Sequence, residues 1–114
     1  MAKPETTQLN APIRGVPALK LGVRVLEGAD AGEGIRVESE QLTIGTADGN
    51  DLVLNDSTVS RYHLELTRTE RGVLVRDLGS TNGTFASNVF VERGTVAVGT
   101  VLRLGRSRVQ VEDG

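Results

Sequence analysis

The chain has 114 residues, enough for one domain, and its 13 basic and 15 acidic residues leave a net charge of −2. A near-neutral chain whose arginines are spread singly does not favour a nucleic-acid or membrane-surface binder, because both need a basic cluster. The absence of cysteine excludes disulfides, thiolate metal sites and cysteine nucleophiles.

Residues 1–18 differ in composition from the rest of the chain. They contain all three prolines and show no sustained apolar period, which predicts a flexible leader or linker before a domain at residues 19–114. No apolar stretch looks like a secretory signal or approaches the roughly 20 residues that a membrane-spanning helix needs. We therefore expect a soluble, cytoplasmic protein.

From residue 19 onward, valine, leucine and threonine occur in short runs closed by glycine or polar turns, which predicts many short strands and no helix of ordinary length. The predicted strands are 21–25, 35–38, 42–44, 52–54, 62–68, 73–78, 89–91, 96–98, 101–104 and 109–111. About ten such strands protect their edges by closing their sheets on each other. The sequence thus predicts an all-β fold, a β-sandwich.

The clearest hairpin places two distant segments together. Strand 62–68 turns at residues 69–72 and returns through 73–78. In an antiparallel pair, the start of the first strand lies beside the end of the second. We therefore expect residues 60–61 and 79–82 to meet at one end of the sandwich.

The polar groups of this neighbourhood suit an anionic ligand. They are four hydroxyls, one carboxamide and one guanidinium, from Ser60, Ser80, Thr81, Thr84, Asn82 and Arg61. Such a set, without an acid, offers many donors and a positive charge. Taken alone, however, Asn82-Gly83 is an ordinary turn signal.

Four motifs in order change this interpretation. They are Ile44-Gly45, Asn50-Asp51-Leu52-Val53-Leu54, Val59-Ser60-Arg61-Tyr62-His63 and Asp77-Leu78-Gly79-Ser80-Thr81-Asn82-Gly83-Thr84. Their order and spacing resemble the forkhead-associated (FHA) domain over roughly residues 19–112. The resemblance implies a sandwich of two twisted, mainly antiparallel sheets whose apical loops bind a phosphothreonine-containing protein segment.

The resemblance also implies a role for each matching residue. Ser60 matches the serine that donates to a phosphate oxygen, and Arg61 a position that helps to hold the phosphate or peptide. Thr81 matches a residue of the phosphate-side loop, and Asn82 the asparagine that hydrogen-bonds the ligand backbone. The 55–59 loop lies where the family reads the third residue after the phosphothreonine.

Structural roles carry over in the same way. His63 matches a histidine that ties the loops together, and Gly45 and Gly83 match glycines of tight turns. Thr46 is a departure, because the family usually has there an arginine that pairs with the phosphate. The same scaffold as a phosphate-independent interaction or oligomerisation module is therefore an alternative.

Other functions are less well supported. Ser60, His63 and Asp77 are the raw materials of a catalytic triad, but the odd separation of Ser60 and His63 at the start of a strand places them on opposite faces. We therefore expect no bond between the two, and a partly buried, bracing histidine. Residues 48–51 lack the spacing of a calcium loop. No enzyme activity, metal or cofactor is predicted.

Thr46 and the segment 50–54 look similar to modules at the front of bacterial enhancer-binding transcription activators. The resemblance therefore implies a reader of phosphothreonine proteins in bacterial signalling, regulating transcription as part of a larger protein. We expect no direct contact with nucleic acid or membrane.

Overall fold

A computed structural model describes residues 19–114, so the predicted leader 1–18 lies outside the described residues. Eleven strands, and no helix, occur in residues 19–114. The strands are β1 (Leu21–Glu27), β2 (Gly34–Val37), β3 (Gln41–Gly45), β4 (Leu52–Val53), β5 (Leu64–Thr69), β6 (Gly72–Asp77), β7 (Thr84–Ala86), β8 (Val89–Phe90), β9 (Arg93–Val96), β10 (Val101–Leu104) and β11 (Ser107–Asp113). The described part of the chain contains no helix that is long and apolar enough to cross a membrane.

The strands form two sheets, which confirms the predicted sandwich. One sheet has six strands in the order β2-β1-β11-β10-β7-β8, and the other has five in the order β4-β3-β5-β6-β9. All pairs are antiparallel except β3 with β4. The first and last strands pair along their length, with Leu21 opposite Asp113.

Alternating aliphatic side chains fill the space between the sheets. The buried core consists of Leu21, Val23, Val25, Leu42, Ile44, Leu52, Leu54, Val59, Leu64, Leu66, Val73, Val75, Leu102, Leu104, Val109 and Val111. Full burial of one such side chain contributes about 1.5–3 kcal/mol. This core, which contains no aromatic ring, fixes the positions of the strand ends and of the loops between them.

The predicted strands and the structure differ most at β9 and β7. The prediction of a strand at 96–98 is wrong beyond Val96, because Thr100 N–H donates to Ala97 O (3.1 Å) and closes a turn there. Strand β7 was not predicted at all. It follows directly after the turn at residues 79–83, and the polar residues of that turn give no indication that a strand begins there.

Candidate functional site

The hairpin of β5 and β6 brings residues 60–61 beside residues 79–82, as the sequence predicts. Leu64 pairs with Asp77 at the open end of this hairpin. Just beyond, Thr81 N–H donates to Ser60 Oγ (3.0 Å), and Asn82 Nδ2 donates to Thr58 O (2.9 Å). Two loops far apart in sequence are thus held together at one end of the sandwich.

A surface pocket of about 630 Å³ lies between these loops. It is lined by Thr46, Leu54, Asn55, Asp56, Ser57, Val59, Ser60, Arg61 and Thr81. The lining includes four of the five residues that the resemblance assigns to ligand binding. Asn82, the fifth, is not in the lining; its Nδ2 donates to the carbonyl oxygen of Thr58, which lies between the lining residues Ser57 and Val59 in the chain.

The pocket presents groups that can hold an anion. Ser60 Oγ accepts a bond from Thr81, so its own proton is available to a ligand. Arg61 is exposed and makes no side-chain hydrogen bond or ion pair with any residue from 19 to 114. Thr46 is half-buried, and its backbone N–H donates to Ser60 O (3.1 Å). One guanidinium and several hydroxyls therefore converge on the pocket.

An acid also lines the pocket, which the sequence reasoning did not foresee. Asp56 accepts bonds from Thr58 N–H (2.8 Å), Thr58 Oγ1 (2.6 Å) and Ser107 Oγ (2.6 Å). Burial acts to raise the pKa of this carboxyl, but these bonds and the nearby Arg106 outweigh it and lower the pKa. Because the carboxylate is already bonded to three donors, it serves to order the loop rather than to bind a cation.

His63 joins the two loops from inside. Its Nδ1 accepts from Ser60 N–H (3.0 Å), and its Nε2 lies 2.9 Å from Gly83 O. The pair of contacts requires the proton on Nε2, which donates to the carbonyl. The ring is fully buried, rather than partly buried as predicted. Since both ring nitrogens are occupied, the side chain braces the loops.

The prediction that Ser60 and His63 form no hydrogen bond is correct for the Ser60 hydroxyl only. The backbone N–H of Ser60, not its Oγ, reaches the imidazole. A serine hydroxyl that does not contact the histidine gains no general base. The side chains of Ser60, His63 and Asp77 are thus near one another without forming a catalytic triad.

Asp77 organises the loop at residues 79–83, a role that was not predicted from the sequence. Its carboxylate accepts from Gly79 N–H (3.0 Å), Ser80 N–H (2.9 Å), Ser80 Oγ (2.6 Å) and Thr84 Oγ1 (2.8 Å). Burial acts to raise the pKa of Asp77, but the bonds from Ser80 and Thr84, with His63, lower it. An aspartate followed by serine three positions later is a turn signal that could have revealed this contact.

Asn50 organises the third loop, after β3. Its Nδ2 donates to Ala47 O (2.8 Å) and to Arg61 O (2.7 Å). The backbone of Arg61 runs so close to Gly45 that a Cβ there would overlap the Arg61 carbonyl. A glycine at this position therefore permits the close approach of the two loops. At Gly83, φ is +84°, a conformation that glycine adopts without strain.

The arrangement matches that of known proteins. Residues 24–113 match the family model described as inner membrane component of T3SS, cytoplasmic domain. Among curated proteins, the chain is 36% identical over 88 residues to the FHA domain-containing protein FhaB of Mycobacterium tuberculosis. The match covers 76% of this chain and 57% of FhaB, so the chain spans little more than half the length of this relative.

Two solved structures share both the fold and the sequence pattern. One comes from a structural and functional analysis of phosphothreonine-dependent FHA domain interactions; it is 32% identical, with a TM-score of 0.72, and the match covers 83% of this chain and 97% of that one. The other is the FhaA FHA domain complexed with the intracellular domain of Rv3910, at 33% identity and a TM-score of 0.70, covering 81% and 99%.

Proposed function

Because the chain belongs to the FHA family, whose members are non-enzymatic binding or regulatory domains, we propose that its pocket binds a phosphothreonine-containing protein segment. One observation carries this proposal. The bonds from Thr81 to Ser60 and from Asn82 to Thr58 hold together two loops around a pocket that is lined by the exposed Arg61. A similar solved structure comes from an analysis of phosphothreonine-dependent FHA domain interactions, which supports the same class of ligand.

Each pocket residue has a task in this proposal. Ser60 donates its hydroxyl proton to a phosphate oxygen, and Arg61 supplies the charge-assisted contact. Thr81 adds a second hydroxyl, while the side-chain oxygen of Asn82, Oδ1, accepts a hydrogen bond from the ligand backbone. His63, Gly45 and Gly83 hold the loops without touching the ligand.

Thr46 sets the strength of binding. Its hydroxyl stands where the family usually has a guanidinium, so Arg61 is the only arginine lining the pocket. A hydrogen bond to a charged group contributes about 1.5–3 kcal/mol. Without this hydrogen bond from a guanidinium at position 46, binding is weaker by about tenfold to a hundredfold. We expect modest affinity that Thr46→Arg raises by at least about tenfold, measured by calorimetry.

The direct test uses matched peptides. A degenerate phosphothreonine library first gives the preferred sequence, and calorimetry then compares that peptide with its unmodified form. Binding to the phosphorylated peptide alone is expected, weakened by about 1–3 kcal/mol in Ser60→Ala and in Asn82→Ala. Arg71→Ala, an exposed change in the turn between β5 and β6, is the control. Equal affinity for both peptides, or none for either, contradicts the proposal.

We place this binding in bacterial cytoplasmic signalling, with control of transcription as part of a larger protein. The similarity of Thr46 and the 50–54 segment to modules of enhancer-binding activators supports this setting. In the natural protein, Ser60→Ala should remove kinase-dependent changes in transcript levels. If transcript levels in this variant still respond to the kinase as they do in the parent, the domain does not control transcription.

A further inference from the structure

The open side of the sandwich carries a second groove. It lies beside β8 and β9, the strands that end the two sheets on this side, and has a volume of about 620 Å³. Its lining extends from Ala86 to Val96, and we call it the 86–96 groove. None of its lining residues belongs to the pocket described above. Occupation of one site therefore leaves the other open.

The groove is apolar and exposed. Val89 and Phe90 are 64% and 53% exposed, more than any other large hydrophobic side chain in residues 19–114. Val91 and Val96 line the groove and pack against the core. Both β8 and β9 end their sheets, so the groove lies beside two sheet edges. Exposed apolar side chains that lie together in a groove are typical of an interaction surface.

The charges of the groove identify the partner. Glu92 and Arg93 both line it and are exposed, and neither forms an ion pair with another residue in the described range 19–114. A two-fold axis through the groove can place Glu92 of each copy against Arg93 of the other, and this ion pair would then form twice, because such an interface uses the same patch on both copies. The net charge of −2 adds little repulsion between copies. The surface is thus complementary to itself.

We propose that the 86–96 groove is the interface of a homodimer, in which Phe90 of each copy enters the groove of the other. This goes beyond phosphopeptide binding, because no residue of the pocket takes part. Each dimer presents two free pockets, so a partner with two phosphothreonines can bind both.

Sedimentation equilibrium of the full chain tests the proposal. From about 20 μM to about 1 mM, the mean mass is expected to rise from 12.1 kDa toward twice that value. Phe90→Ser should weaken association by at least about tenfold. A chain that stays monomeric at about 1 mM overturns the proposal and leaves the groove to a different protein.

Charge exchange tests the geometry. Glu92→Arg and Arg93→Glu should each weaken self-association by at least about tenfold, because like charges then meet twice. A mixture of the two variants should associate again, as should the double variant E92R/R93E. Arg71→Glu, outside the groove, is the matched control, and unchanged thermal midpoints show that each variant is folded. Single variants that associate as the parent does, or a mixture that stays monomeric, refute this interface.

Discussion

Replacing His63 tests whether its two contacts hold the loops of the site. The ring is fully buried, and leucine fills a similar volume but can pair with neither Ser60 N–H nor Gly83 O. Each buried polar group left unpaired costs about 1–3 kcal/mol, and the apolar leucine recovers part of this. We therefore expect His63→Leu to lower the free energy of unfolding by about 2–5 kcal/mol.

Urea denaturation measures this loss. In His63→Gln or His63→Asn, one amide group can replace one of the two ring nitrogens, so each variant should lose about 1–3 kcal/mol. Arg71→Ala, an exposed position, should stay within about 0.5 kcal/mol of the parent. If His63→Leu also stays within about 0.5 kcal/mol with an unchanged slope, the two hydrogen bonds do not hold the loops.

Two further predictions concern stability. Burial acts to raise the pKa of Asp77 and Asp56, but hydrogen bonds lower it below the usual 3.8. The stability that these two carboxylates contribute is therefore present above their unfolded pKa and is lost as the pH falls below about 4. The urea midpoint should fall as the pH is lowered through this range, and it should fall less steeply in Asp77→Asn. A urea midpoint that does not change with pH contradicts this prediction. Ser87 has a φ of +56° in the two-residue turn between β7 and β8, so Ser87→Gly should add about 0.5–1 kcal/mol. A thermal midpoint that rises no more than that of Ser57→Gly would argue against strain at this turn.

The sequence predicted the strands where side chains alternate or form apolar runs. Strand β10 has the predicted bounds, Val101–Leu104, and the β5–β6 hairpin was predicted within two residues. Strand β9 was misplaced because its first residues, Arg93 and Gly94, carry no apolar signal. A short edge strand is defined by its neighbour rather than by its own side chains.

For a similar reason, only part of the site could be predicted from the sequence. Pairing of β5 with β6 follows from local pattern, so the meeting of Ser60 with Thr81 could be inferred. The bonds of Asn50 to Ala47 and Arg61 depend on exact loop paths, which no period in the sequence encodes. The bonds from Ser80 to Asp77 instead follow a local turn signal that the strand pattern does not include. The fully buried state of His63 likewise depends on the loops that close over it.

The pairing of β1 with β11 determines how this domain can be joined to others. Leu21 and Asp113 lie side by side, whereas the far end of β1 leads to Asp30, which accepts a bond from Asn55 N–H (2.7 Å) beside the pocket. Seven strand residues span about 20 Å. Leu21 and Asp113 therefore lie together at the end of the sandwich opposite the pocket, so a segment joined at either end of the domain leaves the binding end uncovered.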